Sequence, residues 1–202
     1  MNRYLRISLF CMLCLLPTIA FSQEKDAKFR YSIGAGTSFD VNPNVKLWGL
    51  NIGGELNYQF AKRFSLNSGV SFYQSLGSLE KIEILGFPNV DNSSGIFISP
   101  TLRYDIIQKD SGFKLSLGAG PSLQLGSETF RRLNPGDPSN RIPVTVSNKY
   151  QRVGILLEAE AEWKTKNRNI TNAFAISGYG AAYIFPWYLN ATYKLRFQTG
   201  KK

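Results

Sequence analysis

The amino-acid sequence predicts an all-β fold, a closed antiparallel up-and-down transmembrane β-barrel of about eight strands. Three observations predict this fold. Eight segments alternate apolar and polar residues, the connections between them alternate in length, and aromatic residues collect near both ends of the segments. Successive side chains of a strand point to opposite faces. Each segment is therefore expected to form a strand with one apolar face and one polar face.

Each of the eight segments carries apolar residues in one phase and polar or small residues in the other. In the first segment, Tyr31 and Ile33 alternate with Arg30 and Ser32. The seventh segment has the fewest apolar residues in phase. In chain order, the segments are Phe29 to Gly36, Trp48 to Phe60, Phe64 to Gln74, Ile96 to Ile106, Phe113 to Leu125, Val153 to Trp163, Ile170 to Ser177 and Trp187 to Phe197.

Short and long connections alternate between these segments. Outer-membrane barrels have tight periplasmic turns and longer outer loops. The sequence therefore predicts periplasmic termini, three tight turns and four outer loops. The short connections are Ala61–Arg63, the residues around Gln108–Asp110, and Lys164–Asn169. The longer connections include Gly77–Gly95, Gly126–Arg152 and Gly178–Pro186.

The placement of aromatic residues separates two barrels that share this alternation. A soluble lipocalin-like carrier turns its apolar phase inward around a ligand. Membrane interfaces instead select aromatic bands around an aliphatic belt, and this pattern favours an apolar phase that faces lipid. The band near the short connections contains Tyr31, Tyr58, Phe60, Phe64, Tyr104, Phe113, Trp163, Tyr193 and Phe197. The band near the long connections contains Phe39, Trp48, Phe72 and Trp187.

The polar phase then lines the lumen, which in an eight-stranded barrel is just wide enough for side chains to fill. Isolated buried charges are costly, so the inward charges are expected to pair. Glu158, Glu160 and Glu162 form an acidic column beside the small residues between Thr171 and Ser177. The column has two interpretations. It is a path for cations or protons, or it is a structural plug of salt bridges, and the structural plug is favoured. The candidate lumen charge network is Arg30, Glu55, Arg103, Asp105, Lys114, Arg152, Glu158, Glu160, Glu162, Lys194 and Arg196.

Two prolines interrupt the predicted fourth and fifth strands. Pro100 and Pro121 both lie in the apolar phase. A proline within a strand removes a hydrogen-bond donor from the ladder and normally lies at a bulge or an edge. Any register that keeps the two strands in phase places the prolines opposite each other or one pair apart. The sequence therefore predicts a local bulge or a gap in pairing there.

Residues 1–22 have the pattern of an export signal and are set apart from the fold prediction. Arg3 and Arg6 precede a short apolar run that ends in small residues. This run is too short to cross a membrane as a helix. Cleavage before Gln23 leaves one domain, residues 23–202, which contains no cysteine. The predicted localisation is the outer membrane of a Gram-negative-type cell.

Parts of the sequence resemble a known family, the PorT-like outer-membrane β-barrels of the small OmpA/OmpX type. Gly53–Phe60 followed by Phe64–Val70 resembles the second hairpin of that family. Ile98–Tyr104 and Gly118–Pro121 resemble its proline-bearing fourth and fifth strands. The tail departs from the pattern, because Gln198–Lys202 follows the last aromatic residue. The resemblance implies an outer-membrane barrel and carries no settled activity, so no functional residues are transferred.

Composition argues against an enzyme. The chain has no histidine, and both cysteines lie within the predicted signal. The common nucleophile–base pairs and zinc sites are therefore missing, and no cofactor is predicted. The sequence predicts an integral outer-membrane protein with a structural or binding role through its outer loops or periplasmic turns. The alternatives are a narrow ion or small-solute pore and a soluble lipocalin-like ligand carrier.

The formal net charge of +10 points to anionic partners. An exported protein does not normally meet nucleic acid, so none is expected. Glycolipid phosphates are natural partners for arginines on the long 126–152 connection, although an ordinary solvated loop is the simpler interpretation. The candidate glycolipid-contacting residues are Arg131, Arg132, Arg141 and Lys149. An acidic periplasmic protein is a possible partner for the basic turns, which carry Lys62, Arg63, Lys109, Lys164, Lys166 and Arg168.

Overall fold

The structure, a computed structural model, describes most of the chain after the predicted signal. The described residues are 28–41, 47–78, 83–84, 87–88, 92–133, 143–167, 169–181 and 184–199. The predicted export signal and its cleavage site, together with Arg141 and Arg168, lie outside the described residues. No helix in the described ranges is long and apolar enough to cross a membrane.

Eight long strands close into one antiparallel barrel, and two short strands form a separate small hairpin. Around the barrel the strand order is β1-β10-β9-β8-β7-β6-β3-β2. Each barrel strand therefore pairs with the barrel strands before and after it in sequence, and β1 pairs with β10 to close the barrel. The predicted fold class is confirmed. The strands are β1 Lys28–Asp40, β2 Leu47–Gln59, β3 Phe64–Ser78, β4 Glu83–Ile84, β5 Phe87–Pro88, β6 Asn92–Gln108, β7 Lys114–Leu133, β8 Pro143–Lys164, β9 Ile170–Ala181 and β10 Ile184–Thr199.

The two faces of the barrel have opposite character. The outer face is apolar, with Ile52 62% exposed and Ile155 58% exposed. The inner face buries charge, with Arg103 2% exposed and Glu160 1% exposed. A lipocalin-like carrier needs its apolar phase inside, so that alternative is wrong.

Aromatic residues on the outer face form a band at the end of the barrel that carries the short connections, here called the short-turn end. Neighbouring rings in this band lie 4.8–6.4 Å apart between centroids, as in the pairs Phe29–Tyr58 and Trp163–Tyr193. At the opposite, long-loop end, Trp48 and Phe72 are exposed as predicted. Trp187 was predicted in this second band, and that prediction is wrong. A register shift between Ile184 and Tyr188 turns Trp187 inward, where it is 8% exposed.

The predicted loop from Gly126 to Arg152 is also wrong, because most of it is a β-hairpin. The ladder between β7 and β8 continues without a register shift to the pair Leu133↔Pro143. The β6–β7 pairing reaches Thr129 and the β8–β9 pairing begins at Ile155. The last residues of β7 and the first residues of β8 therefore extend past the neighbouring strands at the long-loop end. Serine, threonine and valine are compatible with the continuation of both strands, and Pro135, Gly136 and Pro138 fall in the connection between them.

The pairing of β6 with β7 has a gap at the two prolines. Pairs are formed at Ile98↔Leu123 and again at Leu102↔Ala119, with the same register on both sides. Pro100 and Pro121 lie opposite each other inside the interval. The predicted interruption is confirmed, and it is a gap and not a bulge.

Glycine at position 120 is required by the close approach of the two strands in this gap. A Cβ added at Gly120 would lie 2.0 Å from the backbone oxygen of Pro100. We expect Gly120→Ala to lower the free energy of unfolding by about 1–3 kcal/mol, the usual cost of overpacking. Urea unfolding in lipid vesicles, followed by tryptophan fluorescence, measures this change.

Gly118→Ala is the matched control for that substitution, two positions earlier on the same face of β7. The nearest atoms to an added Cβ at Gly118 lie 3.8 Å away, which is ordinary contact. We expect little change in stability for Gly118→Ala. Equal losses for the two variants would contradict the steric explanation.

Candidate functional site

Ten charged side chains gather inside the barrel toward the short-turn end, and we call them the lumen network. They come from six strands, and five are cationic while five are anionic. The cluster is therefore formally neutral, which is the condition for burying so many charges in one interior. The lumen network consists of Arg30, Glu55, Arg103, Asp105, Lys114, Glu158, Glu160, Glu162, Lys194 and Arg196.

Glu160 lies at the centre of the lumen network. Its carboxylate accepts hydrogen bonds from Arg103 and, at 3.1 Å, from Lys194 Nζ. Arg196 Nη2 lies 2.7 Å from Glu160 Oε1. Three cations from two different strands thus surround one carboxylate that is 1% exposed, and this arrangement fixes the positions of all four side chains.

Two more glutamates extend the network around this centre. Lys194 Nζ donates to Glu158 Oε2 at 2.8 Å and also to Glu55. Arg103 donates to Glu158 and lies 3.8 Å from Glu55 Oε2. Arg103 and Lys194 therefore connect carboxylates of β2 and β8 across the lumen, which ties distant strands together.

The edge of the network nearest the short-turn end is built from smaller groups of partners. Arg30 Nη1 donates to Glu162 Oε1 at 3.0 Å, and Arg30 Nε donates to Asn57 Oδ1 at 3.2 Å. Lys114 Nζ lies 3.6 Å from Asp105 Oδ2. These pairs neutralise the last inward charges before the lumen opens.

Small residues of β9 and β7 make room for the network. Ala173 pairs with both Glu162 and Lys194, and it is 0% exposed. Gly118 pairs with both Arg103 and Glu158. Because neither residue carries a long side chain, cations on one neighbouring strand reach glutamates on the other. The space that these small residues leave beside the acidic column is filled by the cations.

A second layer, made of aromatic side chains, fills the lumen toward the long-loop end. The rings meet edge to face, with centroids 5.2 Å apart for Phe97–Tyr179 and 5.4 Å for Phe97–Tyr188. Tyr73 and Tyr188 lie 5.3 Å apart in the same way, which is a favourable ring geometry. The aromatic layer consists of Tyr73, Phe97, Tyr179, Trp187 and Tyr188, and Ala181 packs among these rings.

Sequence reasoning missed the aromatic layer, although a signal for it was present. Tyr73, Phe97, Tyr179 and Tyr188 occupy the polar, inward phase of their strands, near the ends that carry the long connections. Large rings at inward positions of a narrow barrel have space only if they fill the lumen. The layer was therefore readable from the phase of these four residues.

Arg152 does not belong to the lumen network, and its predicted membership is wrong. Its guanidinium lies 3.8 Å from the centroid of the Tyr150 ring and 4.2 Å from that of Trp187. Arg152 Nη1 donates to Glu128 Oε1 at 3.0 Å. The aromatic layer stands between Arg152 and the other charges, so Arg152 forms a separate ion pair at the long-loop end.

A small cavity of about 80 Å³ lies between the two layers. Phe97 and Leu156 line it on the aromatic side, and Glu158 and Lys194 line it on the charged side. Serine, threonine and asparagine side chains supply most of the remaining wall. The cavity has a largely polar wall and is large enough for a few ordered water molecules.

Three of the four candidate glycolipid-contacting residues, Arg131, Arg132 and Lys149, lie on the β7–β8 hairpin and not on an irregular loop. Arg131 and Arg132 fall on β7 opposite Thr145 and Val144. Lys149 lies on β8 and is exposed. Contact of these residues with glycolipid stays a prediction. In the described part of the chain, no group of three or more acidic, histidine or cysteine side chains is arranged to hold a metal ion.

The barrel is similar in fold to solved structures of outer-membrane barrels. The N-terminal β-barrel domain of Pseudomonas aeruginosa OprF aligns with a TM-score of 0.54 and 11% identity, over 86% of this chain and 100% of that one. Neisserial surface protein A aligns with a TM-score of 0.56 and 11% identity, over 87% and 100%. A major outer membrane protein from Thermus thermophilus aligns with a TM-score of 0.56 and 12% identity, over 86% and 99%.

At these identities the comparisons define a class of fold, the eight-stranded up-and-down barrel of outer-membrane proteins. They do not assign a particular protein within that class. No protein-family model matches the sequence, and no curated protein is detectably similar to it. The narrower PorT-like resemblance is therefore not confirmed.

Proposed function

We propose that this chain is an integral outer-membrane protein that forms a closed, non-conducting barrel and acts by presenting its outward hairpin to partners. The observation that carries the proposal is the double filling of the lumen. The lumen network and the aromatic layer lie one after the other along the axis, and their central side chains, such as Glu160 and Tyr188, are at most 1% exposed. A filled lumen leaves only the two ends of the barrel for function.

The outer face supports a membrane location. β1 and β2 have 13 residues each, and at about 3.3 Å per residue with a tilt of about 40° they rise about 33 Å. This length covers the apolar thickness of a bilayer. Aliphatic side chains such as Ile33, 56% exposed, and Val153, 71% exposed, are stable on a barrel surface that faces lipid. Delivery to that membrane by the 1–22 export signal is part of the proposal.

The hairpin is the part of the barrel best suited to binding. β7 and β8 are the longest strands, with 20 and 22 residues, and their tips extend beyond the neighbouring strands. Ser147, Asn148 and Lys149 are exposed on β8, so this surface is polar and open. Contact with anionic glycolipid through Lys149, Arg131 and Arg132 belongs to the proposal. The lack of histidine supports a role without catalysis.

Conductance across planar bilayers tests the closed barrel. We expect the purified full-length protein to give no discrete current steps, because ions meet two filled layers in series. Heat-modifiable migration on a detergent gel shows that the inserted protein is folded. Regular current steps from folded protein would contradict the proposal and favour the narrow-pore alternative, with the path along Glu158 and Glu160.

A further inference from the structure

The short-turn end contains the larger of the two described cavities, with a volume of about 490 Å³. This volume is in the range of sites for small molecules. The cavity lies between the lumen network and the three tight turns, and we call it the vestibule. Seven of its lining residues are basic and two are acidic. Such a balance favours an anionic occupant.

The charges deepest in the vestibule are already neutralised. Arg30 and Arg196 both pair with Glu162, and Arg196 Nη2 also lies 2.7 Å from Glu160 Oε1. Lys114 lies 3.6 Å from Asp105. The floor of the vestibule is therefore polar and balanced, and it does not by itself attract an ion.

The rim carries the unbalanced charge. Lys62 and Arg63 come from the β2–β3 turn, Lys109 from the β6–β7 turn, and Lys164 from the end of β8. All four are exposed, and none forms a salt bridge with a carboxylate in the described ranges. The one acidic residue beside them is Asp110, also exposed. Lys62, Lys109 and Lys164 thus bring positive charge to one opening from two turns and the end of β8, whereas Arg63 Nη1 donates to the Tyr104 hydroxyl on the outer face at 3.3 Å.

The local structure holds this rim in place. Gln108 Nε2 donates to the backbone oxygen of Lys62 at 2.8 Å, which joins two of the turns. Gly112 has a φ of 86°, and a Cβ added there would lie 2.3 Å from Lys164 Cε. The aliphatic part of Lys164 therefore lies directly across the neighbouring turn. A fixed rim binds an anion at a lower entropic cost than four free side chains.

We propose that the vestibule binds a small multivalent phosphate anion. Three of the four rim cations are ammonium groups, which act as point charges without the planar fork that guanidinium offers to carboxylate and phosphate alike. The rim therefore selects for dense negative charge, as in linked phosphates, and the concave shape encloses a small molecule. The topology proposed above places this site in the periplasm. Anion binding at the vestibule goes beyond the proposed role of the outward hairpin. The conductance of the barrel and the binding of an anion are measured separately, so one proposal can fail while the other holds.

Isothermal titration of the folded full-length protein in non-ionic detergent with sodium tripolyphosphate tests the proposal. We expect one site per chain, with an affinity that falls as salt is added. We expect the triple variant Lys62→Gln, Lys109→Gln, Lys164→Gln to bind tripolyphosphate about tenfold more weakly, because it loses three exposed charge contacts. Heat-modifiable gel migration establishes that each variant is folded.

Lys166→Gln is the matched control, because Lys166 is exposed in the same turn as Lys164 but does not line the vestibule. We expect Lys164→Gln to weaken binding and Lys166→Gln to leave it unchanged. Gly112→Ala keeps every charge but displaces Lys164, and it should weaken binding as well. Equal losses for the two lysine variants would overturn the proposal in favour of diffuse charge. Binding of a hexaglutamate peptide without binding of tripolyphosphate would overturn it in favour of an acidic protein partner.

Discussion

Glu160→Gln is expected to lower the free energy of unfolding by about 3–5 kcal/mol, the usual cost of removing one partner from a buried ion pair. The substitution keeps the shape of the side chain and removes its charge. Arg103, Lys194 and Arg196 then share one carboxylate fewer. All three are at most 5% exposed, so bulk solvent screens their remaining charge only weakly. Urea unfolding of the barrel in lipid vesicles measures the loss.

Glu128→Gln is the control for this prediction. It also removes one carboxylate from an ion pair, but its partner Arg152 is 20% exposed in its side chain and Glu128 is 23% exposed. We expect a loss of under about 1 kcal/mol, because solvent screens the remaining charge. The double variant Glu160→Gln, Lys194→Met removes a cation together with the anion and should recover part of the stability. A loss for Glu160→Gln no larger than that for Glu128→Gln would show that the network is not buried in solution.

The strands and their faces could be predicted from the sequence because a period of two is a local property. Tyr31 and Ile33 alternate with Arg30 and Ser32 whatever the rest of the chain does. The proline gap follows from the same local logic, since the missing donors of Pro100 and Pro121 stay missing in any register. These features confirm that the backbone geometry of a barrel can be read segment by segment.

The partners within the lumen network could not be predicted in this way, because they depend on the registers of several strands together. Arg103 on β6 reaches Glu158 on β8 only because Gly118 pairs with both. No single segment contains that information. The inward position of Trp187 depends in the same way on a register shift, which alternation along β10 does not reveal.

The hairpin was missed for a different reason. Beyond the membrane both faces of a strand meet water, so the contrast between apolar and polar phases disappears. Ser147, Asn148 and Lys149 follow one another without an apolar residue, yet all three pair with β7. A period of two in hydrophobicity reveals only strands that have one face away from water. It does not reveal a strand whose two faces are both exposed to solvent.

The aromatic layer gives the second large effect, tested by Tyr188→Ala. Tyr188 is 0% exposed, and its ring contacts those of Tyr73, Phe97 and Tyr179 at 5.3–6.2 Å between centroids. Truncation leaves a cavity that a rigid barrel wall cannot close. We expect a loss of about 3–5 kcal/mol in the free energy of unfolding, as for other buried aromatic side chains. Urea unfolding in lipid vesicles measures this loss.

Two further variants test whether lost packing, and not another effect of the substitution, explains the loss of stability in Tyr188→Ala. Tyr188→Phe removes only a hydroxyl whose contacts with Ser93 and Tyr150 are 3.4 Å long, so its cost should be under about 1 kcal/mol. Tyr193→Ala removes a ring on the same strand that is 45% exposed on the outer face. Fluid lipid fills the space left there, so this loss should be smaller than that of Tyr188→Ala. Equal losses for the two alanine variants would contradict the packing of Tyr188 in a closed layer.

The same variant also tests whether the two layers close the lumen independently. Tyr188→Ala opens the aromatic layer but leaves Glu160 and its three cations in place, so ions still meet a filled layer. We therefore expect Tyr188→Ala, like the protein without the substitution, to give no current steps in planar bilayers, in spite of its lower stability. Current steps from folded Tyr188→Ala protein would show that the lumen network does not close the barrel alone, and that the aromatic layer is its gate.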